Sequence, residues 1–575
     1  MSIKLVNSIH LRNLRGDLFG GLTAAIVALP LALAFGVSSG AGAIAGLYGA
    51  IFVGFFAALF GGTPAQVSGP TGPMTVVMTT VIAALVARHP DTGLALAFTV
   101  VMLGGLFQIL FGVLRLGQYI TLMPYTVISG FMSGIGAIII LIEIPPLLGY
   151  QGTGGVWGTL QQLPTYLSQP NPVATGLGLL TLLIVFAAPP KLNRILPSPL
   201  LALVVVTILS VVLFGNADIP RIGAIPTGLP KLRIPSFTLS ELKEMFRYGL
   251  MLGVLGAIDS LLTSLVADSI TRTQHDSDKE LIGQGIGNCL SGLFGGLPGA
   301  GATMRTVVNV QAGGKTPLSG MIHALVLLLV VLWAGPLTTV IPHAVLAGLL
   351  LKVGIDIIDW GFIKRAHHLS FKGTGLMYLV LLLTVFVDLI TAVVVGAFIA
   401  NLLTIKRLTD VQSDRVQAIT DPTQSQNLTP AEKDILTQAG GDILLFQLGG
   451  PLSFGAAKII SQRMAIVKDY QALVLDLSEV PSIGVTAALA IETMVEDAVK
   501  RQRHVWIVVT PGQVQRRIEK LKLQRFSAAA NSLNGQTDSM RSPQIYQIET
   551  RLQALQSALA SVQPEIPFTT TTIDP

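Results

Sequence analysis

Charge is scarce in this chain: Asp, Glu, Lys and Arg make up 12% of its 575 residues, against roughly 25% in ordinary soluble domains. A large water-soluble enzyme is excluded on that ground. Cysteine is scarcer still. The single Cys289 lies in an apolar stretch, so no intrachain disulfide can form, no cysteine metal site is spaced for ligation, and a small apolar packing role is left. A Gly-rich phosphate loop followed by lysine is also missing, which removes support for nucleotide hydrolysis. No nucleophile–base pair stands out in the apolar segments, so no enzyme is expected. The formal net charge is +6, yet the basic residues sit mostly in short loops beside apolar runs. There they set topology rather than bind nucleic acid.

What the chain does have is hydrophobic length: 51% apolar residues, with 60 glycines and 32 prolines of a kind that membrane helices tolerate. Apolar segments of membrane-crossing length recur roughly fourteen times. Their cores fall near 18–37, 41–60, 66–87, 93–114, 120–142, 172–188, 197–215, 249–271, 282–297, 300–312, 317–335, 342–358, 373–388 and 389–405. The first follows Lys4, Arg12 and Arg15 and is too long for a cleaved signal, so it is expected to stay as a membrane helix. Arg115, Lys191, Arg194, Arg272, Lys279, Lys315, Lys364, Arg365, Lys406 and Arg407 fall on one side, which places both termini in the cytoplasm. The loop 216–248 disagrees, with Arg221, Lys231, Arg233, Lys243 and Arg247 on the outer side.

After Arg407 the composition changes. Residues 1–407 read as an all-α transport domain, 408–436 as a polar linker, 437–562 as a cytoplasmic α/β domain and 563–575 as a tail. Within the α/β part, 442–448, 472–477 and 504–509 read as strands and 455–468, 486–502 and 512–521 as helices. Residues 527–542 form a polar insert. A last helix, 543–560, places Ile545, Ile548, Leu552, Leu555 and Leu559 on one face, for packing on the domain or for pairing with a second copy.

Two segments are odd. "SGPTGPMTVVMTT" (68–80) and "LPGAGATMRTVVNV" (297–310) each run from a Gly/Pro-rich approach into a residue followed by Thr-Val-Val. Two runs of roughly seven spans, an odd number, would set homologous halves in opposite orientations. Broken helices at matching places would then bring their N-termini together near the midplane. Each N-terminus offers unpaired N–H groups and about half a positive charge, so the pair makes an anion cradle. The alternative is a pair of merely kinked packing helices.

The runs 17–52, "DLFGGLTAAIVALPLALAFGVSSGAGAIAGLYGAIF", and 267–320, "ADSITRTQHDSDKELIGQGIGNCLSGLFGGLPGAGATMRTVVNVQAGGKTPLSG", resemble signatures of the SulP anion transporters. "LDLSEVPSIGVTAAL" (475–489) resembles the core of a STAS domain, the usual C-terminal partner in that family. The likeness spans nearly the whole chain. It implies seven plus seven inverted helices, a core moving against a gate, and a homodimer formed through the STAS domain. "GGTPAQVSGPTGPMTVVMTTVIA" (61–83) and an aspartate in the eighth span resemble the sodium-dependent bicarbonate branch in particular.

That aspartate is Asp259. A carboxylate at such depth marks a functional site by default. Thr263 lies one turn on, with Ser260 and Ser264 beside them; Thr303 offers a hydroxyl and Gly301 or Ala302 a carbonyl. Together they suit sodium. A proton carrier, or a structural partner of Arg305, are the other readings of Asp259. Many family members place glutamate there and couple to protons. Arg305 matches a basic position the family carries at this point, where it adds positive potential or pairs with Asp259.

For the anion, the backbone N–H groups of Gly69 to Gly72 and of Ala302 and Thr303 are favoured. Hydroxyls of Ser68, Thr71 and Thr303 would help, with Gln66 and Tyr48 as weaker candidates. The expected activity is sodium-dependent bicarbonate import by alternating access in the plasma membrane. Proton-coupled transport of sulfate or a dicarboxylate is the alternative, then an uncoupled anion channel or motor, which would not need Asp259. Among other polar residues, Asp268 is expected to pair with Arg272, Glu143, Asp356 and Asp388 to be interfacial, and His323 to be a hydrogen-bonded packing residue. In the STAS-like region Gly484-Val485-Thr486-Ala487 stands where soluble relatives read Asp-Ser-Ser-Gly, so Thr486 occupies the phospho-acceptor position but the acidic residue before it is absent, Gly484 standing in its place. Regulation by phosphorylation is therefore a weak expectation there.

Overall fold

The computed structural model describes the chain except residues 1–5, 8–10, 121–122, 152–154, 190–196, 216, 224–229, 236, 238–239, 334–337, 414, 425–426, 468, 527–542 and 564–575. Lys191, Arg194 and the polar insert at 527–542 lie outside the described residues. Two compact units, Met1–Ala400 and Asn401–Pro575, each have their own core.

The first unit is helical. Its elements are α1 (Leu14–Ser38), α2 (Ala43–Phe60), β1 (Ser68–Gly69), α3 (Gly72–Arg88), α4 (Gly93–Val113), α5 (Gly117–Ile120), α6 (Tyr125–Leu147), α7 (Gly155–Ser168), α8 (Pro172–Ala187) and α9 (Ser198–Phe214). Then come α10 (Leu242–Thr271), α11 (Ser277–Leu293), β2 (Ala300–Gly301), α12 (Thr303–Gln311), α13 (Pro317–Trp333), α14 (His343–Ile357), α15 (Trp360–Leu369), α16 (Phe371–Phe386) and α17 (Leu389–Ser413). A helix overlaps every apolar segment read from the sequence, while α5, α7 and α15 lie in stretches taken as loops.

Among the described residues, α1, α2, α4, α6, α10 and α17 are long and apolar enough to cross a membrane singly. The chain is a membrane protein. Helices α7 and α8 meet at a 109° bend, and α3, α9, α13 and α16 have only 16 or 17 residues. With nine residues, α12 is too short to span.

Glycine sets how closely these helices meet. A Cβ on Gly105 of α4 would lie 2.5 Å from the carbonyl oxygen of Gly285 on α11, and one on Gly285 would lie as near that of Gly105. Only paired glycines allow this crossing.

The dissenting basic loop finds its explanation in packing. Arg221 donates to Ser210 Oγ at 3.1 Å and to backbone carbonyls of Phe214 and Val340, while Arg233 stacks on Phe98 at 5.1 Å. These two cations hold the loop down, so they say little about topology.

In the second unit, β3 (Val416–Ile419), β4 (Ile443–Gly449), β5 (Ala472–Glu479), β6 (His504–Val508) and β7 (Ile545–Ile548) form one sheet in chain order. Only β3 runs antiparallel to its neighbour. Alternation along the strands feeds two cores. Leu444, Phe446, Leu473, Leu475, Val505 and Ile507 face α19 (Phe454–Ile466), α20 (Val485–Lys500) and α21 (Gln513–Lys520). Ile443, Leu445, Val474 and Trp506 face α18 (Pro430–Gln438) and α22 (Arg551–Val562).

Two expectations are corrected here. Part of the presumed linker is folded: 416–419 is the edge strand, and Thr429 and Glu432 make a capping box that starts α18. The segment read as one helix, 543–560, is instead β7 followed by α22. Ile545 and Ile548 belong to the strand, whereas Leu555 and Leu559 pack α22 on the domain.

Candidate anion and cation site

The chain reaches the site through two unwound approaches. After α2 ends at Phe60, residues 61–71 are non-helical, with a turn at Pro64–Ala65, and residues 294–302 follow α11 in the same way from a turn at Phe294–Gly295. They meet antiparallel, Ser68 against Gly301 and Gly69 against Ala300. Helices α3 and α12 start immediately beyond. Met74 and Arg305, matched in the sequence repeat, are each the third residue of their helix.

Neither helix is capped by a side chain. Thr71, the N-cap of α3, gives its hydroxyl hydrogen to Asp259 Oδ2 at 2.7 Å instead of serving its own helix. Ala302, the N-cap of α12, has no side chain that could cap. First-turn N–H groups and the positive helix ends are therefore left for a ligand.

Asp259 and Thr263 sit on α10, both buried. Thr263 donates to Gly301 O at 2.9 Å, so its 2.8 Å contact with Thr303 has Thr303 as donor. The outward lone pairs of Thr303 stay available. The Asp259 carboxylate, the Thr263 and Thr303 hydroxyls and the Gly301 carbonyl are hard oxygen donors of the type a sodium ion takes. Arg305, 3% exposed, donates to Pro70 O and forms no ion pair with Asp259 among the described residues. It adds charge behind the cradle.

Gln66 and Ser68 are tied into a network of their own. Gln66 donates to Glu280 Oε1 at 2.7 Å and accepts from Ser264 at 3.0 Å. Ser68 Oγ accepts from Gln284 at 2.6 Å. Tyr48, half-buried on α2, makes no described hydrogen bond. Gln66 and Ser68 thus help to hold the unwound segment in place.

Sequence reasoning missed the residue at the hub of that network. Glu280, buried on α11, accepts from the backbone N–H of Gly62 and Thr63 at 2.9 Å and from Gln66 and Gln284 at 2.7 Å. Its signal was present: an acidic residue within the long run 267–320. Asp17 does similar work for α13, accepting from Lys315 N and Thr316 N at 2.8 and 3.0 Å.

Three further expectations fail. Asp268 bonds His275 Nδ1 at 2.7 Å, not Arg272, which turns away in the left-handed region at φ 57°. Glu143 is 3% exposed and accepts from Ser38, so it is not interfacial. His323 is buried, and among the described residues neither of its ring nitrogens has a hydrogen-bond partner. Thr486 is exposed in the first turn of α20.

Unwound segments whose helix ends meet across a short antiparallel crossing, with a buried carboxylate one hydrogen bond away, define a carrier with broken helices. Residues 14–380 match the sulfate permease family and residues 434–535 the STAS domain, so the chain belongs to the sulfate permease family. It is 56% identical, over 94% of its length and 96% of the relative's, to the bicarbonate transporter BicA of Synechocystis sp.. BicA of Picosynechococcus sp. is 54% identical, over 91% of this chain and 93% of its own. The putative sulfate transporter YvdB of Bacillus subtilis is 29% identical over 78% and 82%. Among solved structures, the transmembrane domain of a cyanobacterial BicA superposes with TM-score 0.65 at 62% identity, covering 68% of this chain and all of that one. Murine Solute Carrier 26 family member A9 gives TM-score 0.77 over 96% and 92%, at 19% identity, and so shows the shared fold.

Proposed function

We propose that the chain is a sodium-dependent bicarbonate symporter. The anion lies between the uncapped N-termini of α3 and α12, and sodium binds at Asp259, Thr263, Gly301 and Thr303. The observation that supports this most is Thr71: its hydroxyl is the N-cap residue's own, yet it reaches Asp259 at 2.7 Å, joining the anion cradle to the carboxylate. The named activity of the two BicA relatives supplies the substrate.

Coulomb's law gives the coupling a size. With Asp259 ionised, its charge offsets that of Arg305, leaving the helix ends to attract the anion. A sodium ion roughly 7 Å away, at an effective dielectric near 20, adds about 2.4 kcal/mol, or about fiftyfold in affinity. The coupling is reciprocal. Import proceeds by alternating access in the plasma membrane, with both termini cytoplasmic and two copies joined through the STAS domain. Residues 437–562 are read as that domain, with Thr486 as its weakly expected regulatory position.

Uptake of radiolabelled bicarbonate into proteoliposomes, with and without an inward sodium gradient at fixed pH and potential, tests the reading. Accumulation that requires sodium is the expected result. Uptake of sulfate or a dicarboxylate driven by a proton gradient, and indifference of bicarbonate to sodium, would favour the alternative that the likeness to YvdB supports.

A further inference from the structure

Away from Asp259, a cavity of about 440 Å³ opens among the ends of α1, α3, α6 and α14. Thr79 on its wall stands seven residues beyond Gly72, hence about 10 Å along α3 from the anion cradle. Glu143 projects from α6 into this space and is almost fully buried, with Ser38 as its single described hydrogen-bond partner. Among the described residues no Lys or Arg lines the cavity, and His343 and Tyr150 are the other titratable groups there. A carboxylate so placed is neutralised either by a proton or by a bound cation.

Of the five hydroxyls that line it, four are oriented in one sense, and Thr159 is the fifth. Ser38 gives its hydrogen to Glu143, Ser39 to Gly36 O at 2.9 Å, Thr79 to Thr75 O at 2.9 Å, and Tyr150 to Gln169 O. With every one of these hydrogens engaged, each oxygen has only lone pairs left to offer. An anion would meet no donor from these groups. A cation would meet a carboxylate and several neutral oxygens. A divalent ion normally takes six to eight oxygens, with more than one carboxylate among them. A single carboxylate points to a monovalent one.

We propose that this cavity is a second cation site, which takes an alkali ion of sodium's size on the Glu143 carboxylate and the Ser38 and Thr79 hydroxyl oxygens. It bridges α1 and α3, which flank the cradle, to α6. The site stands whether or not Asp259 holds sodium.

Equilibrium binding of 22Na+ to the purified full-length chain in nanodiscs tests it, using wild type, Glu143→Gln, Asp259→Asn and the double variant, each checked for a monodisperse elution profile. Two sodium ions per wild-type chain are expected, with about half lost in each single variant and all lost in the double. If Glu143→Gln binds as much sodium as wild type, the proposal is wrong. Should Glu143→Gln misfold, Thr79→Val keeps shape and charge, and one of the two affinities is expected to fall about tenfold; two unchanged affinities in a folded Thr79→Val would equally overturn the site. Loss confined to Glu143→Gln, with Asp259→Asn unaffected, would uphold this cavity and remove sodium from Asp259.

Discussion

Residue by residue, the site depends on hydroxyls that do two jobs. Thr71 is an N-cap by position and an Asp259 partner by contact. Thr263 ties α10 to the Gly301 carbonyl while lying one turn from the carboxylate. Asp259→Asn keeps the size of the side chain and removes its charge. Sodium-stimulated uptake in that variant is expected to require at least about tenfold more sodium, read from the sodium dependence of bicarbonate uptake. Wild-type sodium dependence in Asp259→Asn would remove the residue from the coupling. Thr263→Val is expected to cost less, about threefold to tenfold in sodium affinity, because one neutral oxygen is lost rather than a charge.

At the level of elements, the two-residue crossing of β1 and β2 sets where the helices begin. Gly299 makes it possible: a Cβ there would lie 2.5 Å from the backbone carbon of Gly69, and backbone cannot step aside. Gly299→Ala is therefore expected to abolish uptake while the chain still inserts and elutes as wild type. Near-normal uptake in that variant would show that the crossing tolerates separation. This element was half legible in the sequence. The Gly/Pro-rich approaches, the repeat Met74/Arg305 and the charged Asp259 announced a broken-helix site, because glycine clusters and buried charge are local signals. The orientation of Gln66 and Ser68 was not legible, since it is set by Glu280, more than two hundred residues away in sequence. The same holds for Glu143, which lies near a helix end yet is covered by neighbours no local pattern reveals. In the STAS region, Ile545 and Ile548 fit a helical stripe as well as a strand, and only pairing with β6 decides between them.

Taken whole, the molecule pairs a membrane unit poor in charge with a second unit that uses buried charge to close its fold. Arg551 on α22 reaches Glu432 of α18 at 2.7 Å and Asp476 of β5 at 3.3 Å. Burial works against the Glu432 charge, but the Arg551 guanidinium and the hydrogen bonds from Thr429 together outweigh it and hold the carboxyl below its ordinary value. A lowered carboxyl value stabilises the fold above the ordinary glutamate range, and that contribution is lost as pH falls from that range through the lowered value. Hydrogen exchange on the full-length chain is expected to show α18 and α22 opening first as the solution is acidified. Arg551→Ala leaves two buried carboxylates without a cation and is expected to destabilise this unit by on the order of 2 kcal/mol. Unchanged protection in α18 and α22 would show that the apolar contacts of Leu436, Leu555 and Leu559 suffice.

The crossing of β1 and β2 has a consequence for direction. Because the two approaches are hydrogen-bonded to each other, the proposed cradle would have to travel as one piece, and under the proposed mechanism a ligand would meet the same N–H groups whichever side of the bilayer it left. Such a cradle would not by itself distinguish import from export. Such a device is a turnstile without a ratchet: it turns the way the concentrations push it, and reversing the gradients should reverse the flow.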